Sequence, residues 1–276
     1  PFLEHFAYRC ALVADAVYQL GDLSRFGLPD ASDEQLRQLF GEKSSALFDH
    51  SPAGGFRAKV YHDTRSESFI LGFGGTDSVN PSDWLSNIQQ FFGKPAEQYE
   101  QGINIVNHLA PHQKLIVTGH SLGGGIATVA AVAQQLEACV FNPPGIHTKT
   151  LDRFDLSRRN LAGKRIRRFV VAGEILDIGN KVFGIKHDRI GELVTLYGSL
   201  TIPVTSIFGL SALFKRMIPG AGMALGVLAP VAEKMAALHR MDEVFYGLRR
   251  YLRRKSPRSV DGFCGTIPLP DTKETL

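Results

Sequence analysis

The sequence predicts an α/β protein, a mostly parallel central sheet flanked by helices on both faces. Three observations carry this expectation. Segments with strand character alternate along the chain with segments of helical periodicity, as in parallel βα architectures. The stretch from Lys114 to Ala130 reads as a buried strand, a sharp turn and a helix, with Ser121 at the apex. A chain of 276 residues with 44% hydrophobic and 21% charged residues can bury the core such a sheet needs.

Taken in order, Phe2 to Leu20 carry apolar residues at helical spacing (Phe6, Leu12, Val13, Ala16, Val17, Leu20) and predict an amphipathic opening helix. Ser32 begins Ser-Asp-Glu-Gln-Leu, a cap before a short second helix. Phe56 to Tyr61 and Ser68 to Phe73 read as two strands separated by the turn-prone Asp63-Thr-Arg-Ser-Glu. A helix is expected over Glu97 to Leu109. Leu115 to Val117 are apolar and rich in β-branched residues, as a buried parallel strand requires, and the helix after Ser121 runs to about Glu137. Cys139-Val-Phe is the next strand, breaking at Asn142-Pro-Pro-Gly, and Arg165 to Val171 is a further strand ending at Gly173.

The net charge of +4 is modest, but the positive residues cluster. One run spans Arg158 to Arg168; the other spans Arg249 to Lys255 and continues to Arg258. Such runs meet anionic lipid headgroups or nucleic acid, or form solvated faces around a core strand and a terminal helix. Cys10, Cys139 and Cys264 are odd in number, far apart and without metal-ligand spacing, which argues against a disulfide framework. Position 1 is not Met, so the lack of a signal peptide carries no weight. The stretch 197–232 is nearly uncharged apart from Lys215 and Arg216. Each half is short for a membrane span and is interrupted by Pro203, or by Pro219 and Pro230. It is expected to be an apolar lid or membrane-facing insertion within a single domain, against the alternative of buried helices completing the core.

The chemistry centres on Gly119-His-Ser121-Leu-Gly123. A serine at this turn takes a strained backbone conformation, and side chains two residues either side would collide. The turn lifts the hydroxyl above the sheet and aims the following helix's N-terminus at it, so the Leu122 N–H can serve an oxyanion. A serine alcohol is a weak nucleophile and needs a base held by an acid. For a serine on such a turn the chain order is nucleophile, acid, base. Glu174, directly after the strand ending at Gly173, is the favoured acid, with Asp177 its rival. Of the late histidines His147, His187 and His239, chain order selects His239 as base, with His187 second. A second oxyanion donor fits the loop Phe73-Gly-Gly-Thr76, where Thr76 offers its N–H and its hydroxyl.

These residues resemble the class 3 lipase family. The likeness lies in Ile70-Leu-Gly-Phe-Gly-Gly-Thr-Asp with Asp83-Trp-Leu-Ser-Asn, and in Val117-Thr-Gly-His-Ser-Leu-Gly-Gly. It extends through Val140-Phe-Asn-Pro-Pro-Gly-Ile-His, Ala172-Gly-Glu-Ile-Leu and His239-Arg-Met-Asp, pieces similar to a branch that includes bacterial secreted lipase effectors. The resemblance implies an α/β-hydrolase fold, a triad needing no metal or cofactor, and hydrolysis of acyl esters in lipids. It assigns Ser121, Glu174 and His239 to the triad and Thr76 with Leu122 to the oxyanion hole. Membrane phospholipid or another lipid ester is then the expected substrate, with no nucleic-acid partner. An effector would act at a target-cell membrane and have an immunity or chaperone protein as partner. Two departures stand out: Gly74 replaces the arginine that most class 3 lipases carry, and Glu174 replaces the usual aspartate. A non-catalytic lipase-fold scaffold and a soluble-ester or thioester hydrolase are the alternatives.

Overall fold

Helix α1 (Phe2–Ala16) carries a stretch that lies in the interior. Every residue from Phe6 to Ala14 is buried, so the amphipathic expectation for this segment is corrected. A helical stretch clasped on several sides is apolar nearly all round, and the one charge within Phe6–Ala14, Arg9, is neutralised inside. Arg9 donates to both carboxylate oxygens of Asp63, at 2.7 and 2.6 Å, and to the carbonyls of Phe26 and Gly27. The helix stops at Ala16 and gives way to a 3-10 turn over Val17–Gln19, earlier than the Leu20 expected. The computed structural model describes residues 2–48, 56–75, 96–153, 163–174, 176, 187–200, 234 and 237–255.

The remaining elements are α2 (Asp33–Phe40), α3 (Ser44–Phe48), β1 (Arg57–Asp63), β2 (Ser68–Gly74), α4 (Ala96–Asn107), β3 (Leu115–His120), α5 (Leu122–Gln134), β4 (Glu137–Phe141), β5 (Ile146–His147), α6 (Thr148–Arg153), β6 (Ile166–Val171), β7 (His187–Asp188), β8 (Glu192–Leu196) and α7 (Met241–Lys255). Ser32 caps α2 through a capping box with Gln35, as its sequence predicts. Among the described residues, six strands form one sheet in the order β1-β2-β3-β4-β6-β8. Only the β1–β2 pair in it is antiparallel; β2 through β8 run parallel. The sheet has a core on each face. One face, with Leu71, Val117 and Val140, packs on α4 and the alanine-rich α5. The other, with Ile116, Phe141 and Phe169, packs on α1 and α7.

Helix α5 is buried from Leu122 through Val132 and ends at Gln134, because Gln135 turns left-handed (φ 55°). The Glu137 expected as its end instead opens β4. The basic run around β6 is tied into the surface: Arg167 pairs with Glu192 at 2.9 Å and Arg165 donates to the Gln135 carbonyl. On α7, Arg249 donates to the Tyr8 hydroxyl, whereas Arg250, Arg253 and Arg254 face solvent. Among the described residues no helix is long and apolar enough to cross a membrane. Of the apolar stretch 197–232, Tyr197–Leu200 are described, with Tyr197 and Leu200 exposed; the lid expectation otherwise lies outside the described residues.

Candidate active site

The C-terminal ends of β3, β4 and β6 converge on one edge of the sheet, where parallel α/β folds bind ligands. At the end of β3, Ser121 adopts φ 54° and ψ −125°, a region that non-glycine residues rarely occupy. The conformation is held by Ser121 N–H donating to the Phe141 carbonyl of β4 and by Gly125 N–H donating to the Ser121 carbonyl. The hydroxyl makes no capping bond to α5, although Ser121 sits at its N-cap. Leu122 is the first residue of the helix, where backbone N–H groups have no intrahelical acceptor.

The two glycines flanking the serine are required by contact, as the sequence predicts. A Cβ on Gly119 would overlap the Gly123 backbone, and one on Gly123 would overlap the Phe73 carbonyl. The loop after β2 is therefore pressed against the elbow. A Cβ on Gly75 would meet Leu122 Cβ at 2.7 Å and Gly123 N at 3.2 Å. Thr76, the next residue, lies outside the described residues. Gly123→Ala is expected to destabilise the fold by more than about 4 kcal/mol, since a backbone carbonyl cannot move aside as a side chain can. Denaturant unfolding of the purified variant, or its loss to the insoluble fraction, checks this.

Glu174 is set by a turn in which its N–H donates to the Val171 carbonyl and Gly173 takes φ 86°. Its carboxylate is 1% exposed. Oε2 accepts from His239 Nδ1–H at 2.7 Å and from Leu176 N–H at 2.9 Å. An ionised carboxylate only accepts, so the proton of the neutral His239 ring lies on Nδ1 and Nε2 is the basic nitrogen. The structure thus joins Glu174 to His239 across 65 residues of sequence. Asp177, the rival acid, lies outside the described residues, and His187 lies in β7, paired with His147 of β5.

Three residues that the sequence analysis did not single out hold this pair in place. His120 Nε2–H donates to the His239 carbonyl at 2.7 Å, with the two rings 4.8 Å apart. Asn142 Nδ2 donates to the same carbonyl at 2.9 Å, while Asn142 Oδ1 accepts from Val171 N–H at 2.9 Å. Tyr18 donates its hydroxyl to the His120 carbonyl at 2.9 Å. Asn142 also sits at φ 44°, which asparagine tolerates better than most residues. The available signals were positional: His120 precedes the serine, and Asn142 ends a strand before Pro143. Asn142→Ala leaves the Val171 N–H without this acceptor and removes one donor from the His239 carbonyl. The expected cost is about 2–4 kcal/mol of stability, measured by chemical denaturation, with kcat reduced more than KM.

Burial pushes the His120 ring down to about 3, reinforced by repulsion from His239. Burial also pushes His239 down, and the Glu174 carboxylate opposes that shift. Both rings are therefore neutral at neutral pH. In the unfolded chain a histidine titrates near 6.5, so below that pH the unfolded state binds more protons and stability falls with acidification. His120 alone contributes a slope of about 1.4 kcal/mol per pH unit between roughly pH 6 and pH 4. Asp15 acts in the opposite direction, its carboxyl pushed up to about 6 by desolvation and then by Asp242. Its residue as a whole is exposed, which discounts that contribution. Urea midpoints measured from pH 7 to pH 4 are expected to fall, and His120→Asn to flatten the slope.

A serine at a strained elbow over a parallel sheet, beside a buried histidine–carboxylate pair, has the architecture of the α/β-hydrolases. The chain belongs to the Tle-like phospholipase domain family, whose model matches residues 9–227. The match includes Ser121 and Glu174 and ends before His239. The chain is 31% identical over 201 residues to the extracellular phospholipase A1 of Serratia liquefaciens, covering 71% of this chain and 61% of that protein. It is also similar to the nonglycosylated LIP2 lipase of Yarrowia lipolytica (15% identity, 72% of this chain and 81% of that one, TM-score 0.45). The Rhizomucor miehei lipase in its propeptide complex is similar at 16% identity (62% and 71%, TM-score 0.36).

Proposed function

We propose that the chain is a serine-dependent phospholipase that cleaves carboxylic esters of membrane lipids through an acyl-enzyme. The observation that carries this reading is the buried Glu174–His239 hydrogen bond at the sheet edge that also bears the Ser121 elbow. His239 Nε2 takes the proton of Ser121 Oγ as the oxygen attacks the acyl carbonyl carbon. The resulting oxyanion receives the Leu122 N–H and the donors of Thr76, each worth about 3–4 kcal/mol in comparable sites. Collapse breaks the ester bond, and the imidazolium returns its proton to the departing lysophospholipid alkoxide. Water, deprotonated by His239, then attacks the acyl-serine; the fatty acid leaves and Ser121 recovers its proton. Glu174 fixes the Nδ1–H tautomer and stabilises the imidazolium in both halves.

Phospholipid is favoured over a soluble ester by family membership and by the apolar stretch 197–232, with exposed Arg253 and Arg254 on α7 adding attraction to anionic headgroups. The Serratia relative is named a phospholipase A1, so we assign cleavage to the sn-1 ester and action outside the producing cell. Delivery into a neighbouring cell would add an immunity or chaperone protein as partner. The test is fatty-acid release from mixed phosphatidylethanolamine–phosphatidylglycerol vesicles beside a dispersed short-chain ester, with the lysolipid identified. Preference for vesicles and a 2-acyl lysolipid support the proposal. Equal rates on both substrates point to a soluble-ester hydrolase, and a 1-acyl product overturns the sn-1 assignment.

A further inference from the structure

Two of the three cysteines take no part in the proposed chemistry, yet the fold brings them together from 129 residues apart. Cys139 in β4 is the register partner of Thr118 in β3, and partners on adjacent parallel strands present their side chains to the same face. The Thr118 hydroxyl lies 2.7 Å from the Cys139 carbonyl and 3.2 Å from the Cys10 carbonyl. One side chain therefore marks both where Cys139 points and where α1 crosses the sheet. Cys10 and Cys139 are each 0% exposed and belong to the same apolar cluster, between the sheet and α1. Each is a free thiol.

We propose that Cys10 and Cys139 form a modification site: a dithiol that becomes an intrachain disulfide, joining α1 to β4, when the chain folds in an oxidising compartment. The oxidant is an external disulfide, either glutathione disulfide or a protein dithiol oxidase. The thiolate of one cysteine attacks it, forming a mixed disulfide and releasing one thiol. The second cysteine displaces the other half, so two electrons and two protons leave on two external thiols. Both cysteines line the same layer between the sheet and α1, with the Thr118 hydroxyl bonded to the carbonyls of both, so closing the bond carries neither backbone across the core. In the folded dithiol Cys139 and burial hold Cys10 well above the usual thiol range, and water does not reach either sulfur. Thiolate is the reactive species, so the folded dithiol is inert and the bond forms in the folding chain. The redox state is then a record of where the chain folded. The cross-link would join the helix that leads to Tyr18 with the strand that leads to Asn142, the two supports of the His120–His239 contact.

The test uses the full chain produced once in a reducing cytosol and once with export to an oxidising compartment, each mapped by non-reducing peptide mass spectrometry. The expected result is a Cys10–Cys139 linked peptide, lighter by about 2 Da than the two thiols, in the exported protein alone. Its Tm should exceed that of the dithiol by roughly 5–10 °C. The folded dithiol given glutathione disulfide should remain reduced at both positions. Cys264→Ala keeps the linked peptide, and Cys10→Ala or Cys139→Ala removes it. A folded exported protein with both thiols reduced, or with Cys264 in the bridge, overturns the proposal. If export yields no folded protein, refolding with and without glutathione disulfide is read against the same outcomes.

Discussion

Ser121→Ala is expected to lower kcat on phospholipid vesicles by about 10⁶-fold, the size of effect that removal of a triad serine produces. The structural cost should be small. Ser121 reaches its strained backbone through bonds from its own N–H and carbonyl to Phe141 and Gly125, and alanine keeps both. The side chain caps nothing in α5, so no hydrogen bond of the helix is lost with it. Tm and vesicle binding should stay near wild type, which separates a lost nucleophile from a lost fold. In the proposed mechanism serine and histidine act as one unit, so adding His239→Ala to this variant should cost almost nothing more. A double variant far slower than either single one would mean that the two residues work independently.

Glu174→Gln is expected to lower kcat by about 10⁴-fold with KM little changed. In the wild type a single oxygen accepts from both His239 Nδ1–H and Leu176 N–H. A glutamine can offer its amide oxygen to these donors, but it carries no charge to stabilise the imidazolium. Where its NH₂ faces Nδ1, it selects the tautomer with the proton on Nε2, which cannot take the serine proton. Glu174→Asp keeps the charge on a stem one methylene shorter and should lose less. Asp177→Asn separates the two carboxylates: activity within about threefold of wild type fits Glu174 as the acid, whereas a 10⁴-fold loss would transfer the role to Asp177. Steady-state rates on one vesicle preparation, with circular dichroism on each variant, give all of these values.

The elbow, the strands around it and the cap on α2 were legible because each follows from local chemistry. Glycines around Ser121, β-branched residues before it and Ser32 with Gln35 act within a few positions of one another. Chain order extended that reading to Glu174 and His239, which the fold joins. What the sequence did not reveal depends on partners far along the chain. The apolar spacing of α1 suggested an amphipathic helix, but Arg9 lies inside the protein, where Asp63, 54 residues on, neutralises it. His120 and Asn142 meet the His239 carbonyl from 119 and 97 residues away, and only the packing of β3 and β4 on that segment makes them neighbours. No periodicity encodes such contacts. The basic run on β6 was ambiguous for the same reason, until Glu192 on the neighbouring strand accounted for Arg167.

Rapid-quench mass spectrometry of the enzyme mixed with a phospholipid of defined acyl chains tests the account most directly. Attack by Ser121 Oγ predicts an ester adduct of one fatty acyl group on the peptide containing Ser121, appearing within the first turnover and disappearing as fatty acid is released. Ser121→Ala should show no adduct and no release. Hydrolysis that proceeds without an acylated Ser121 at any time, or that survives in Ser121→Ala, would contradict the account.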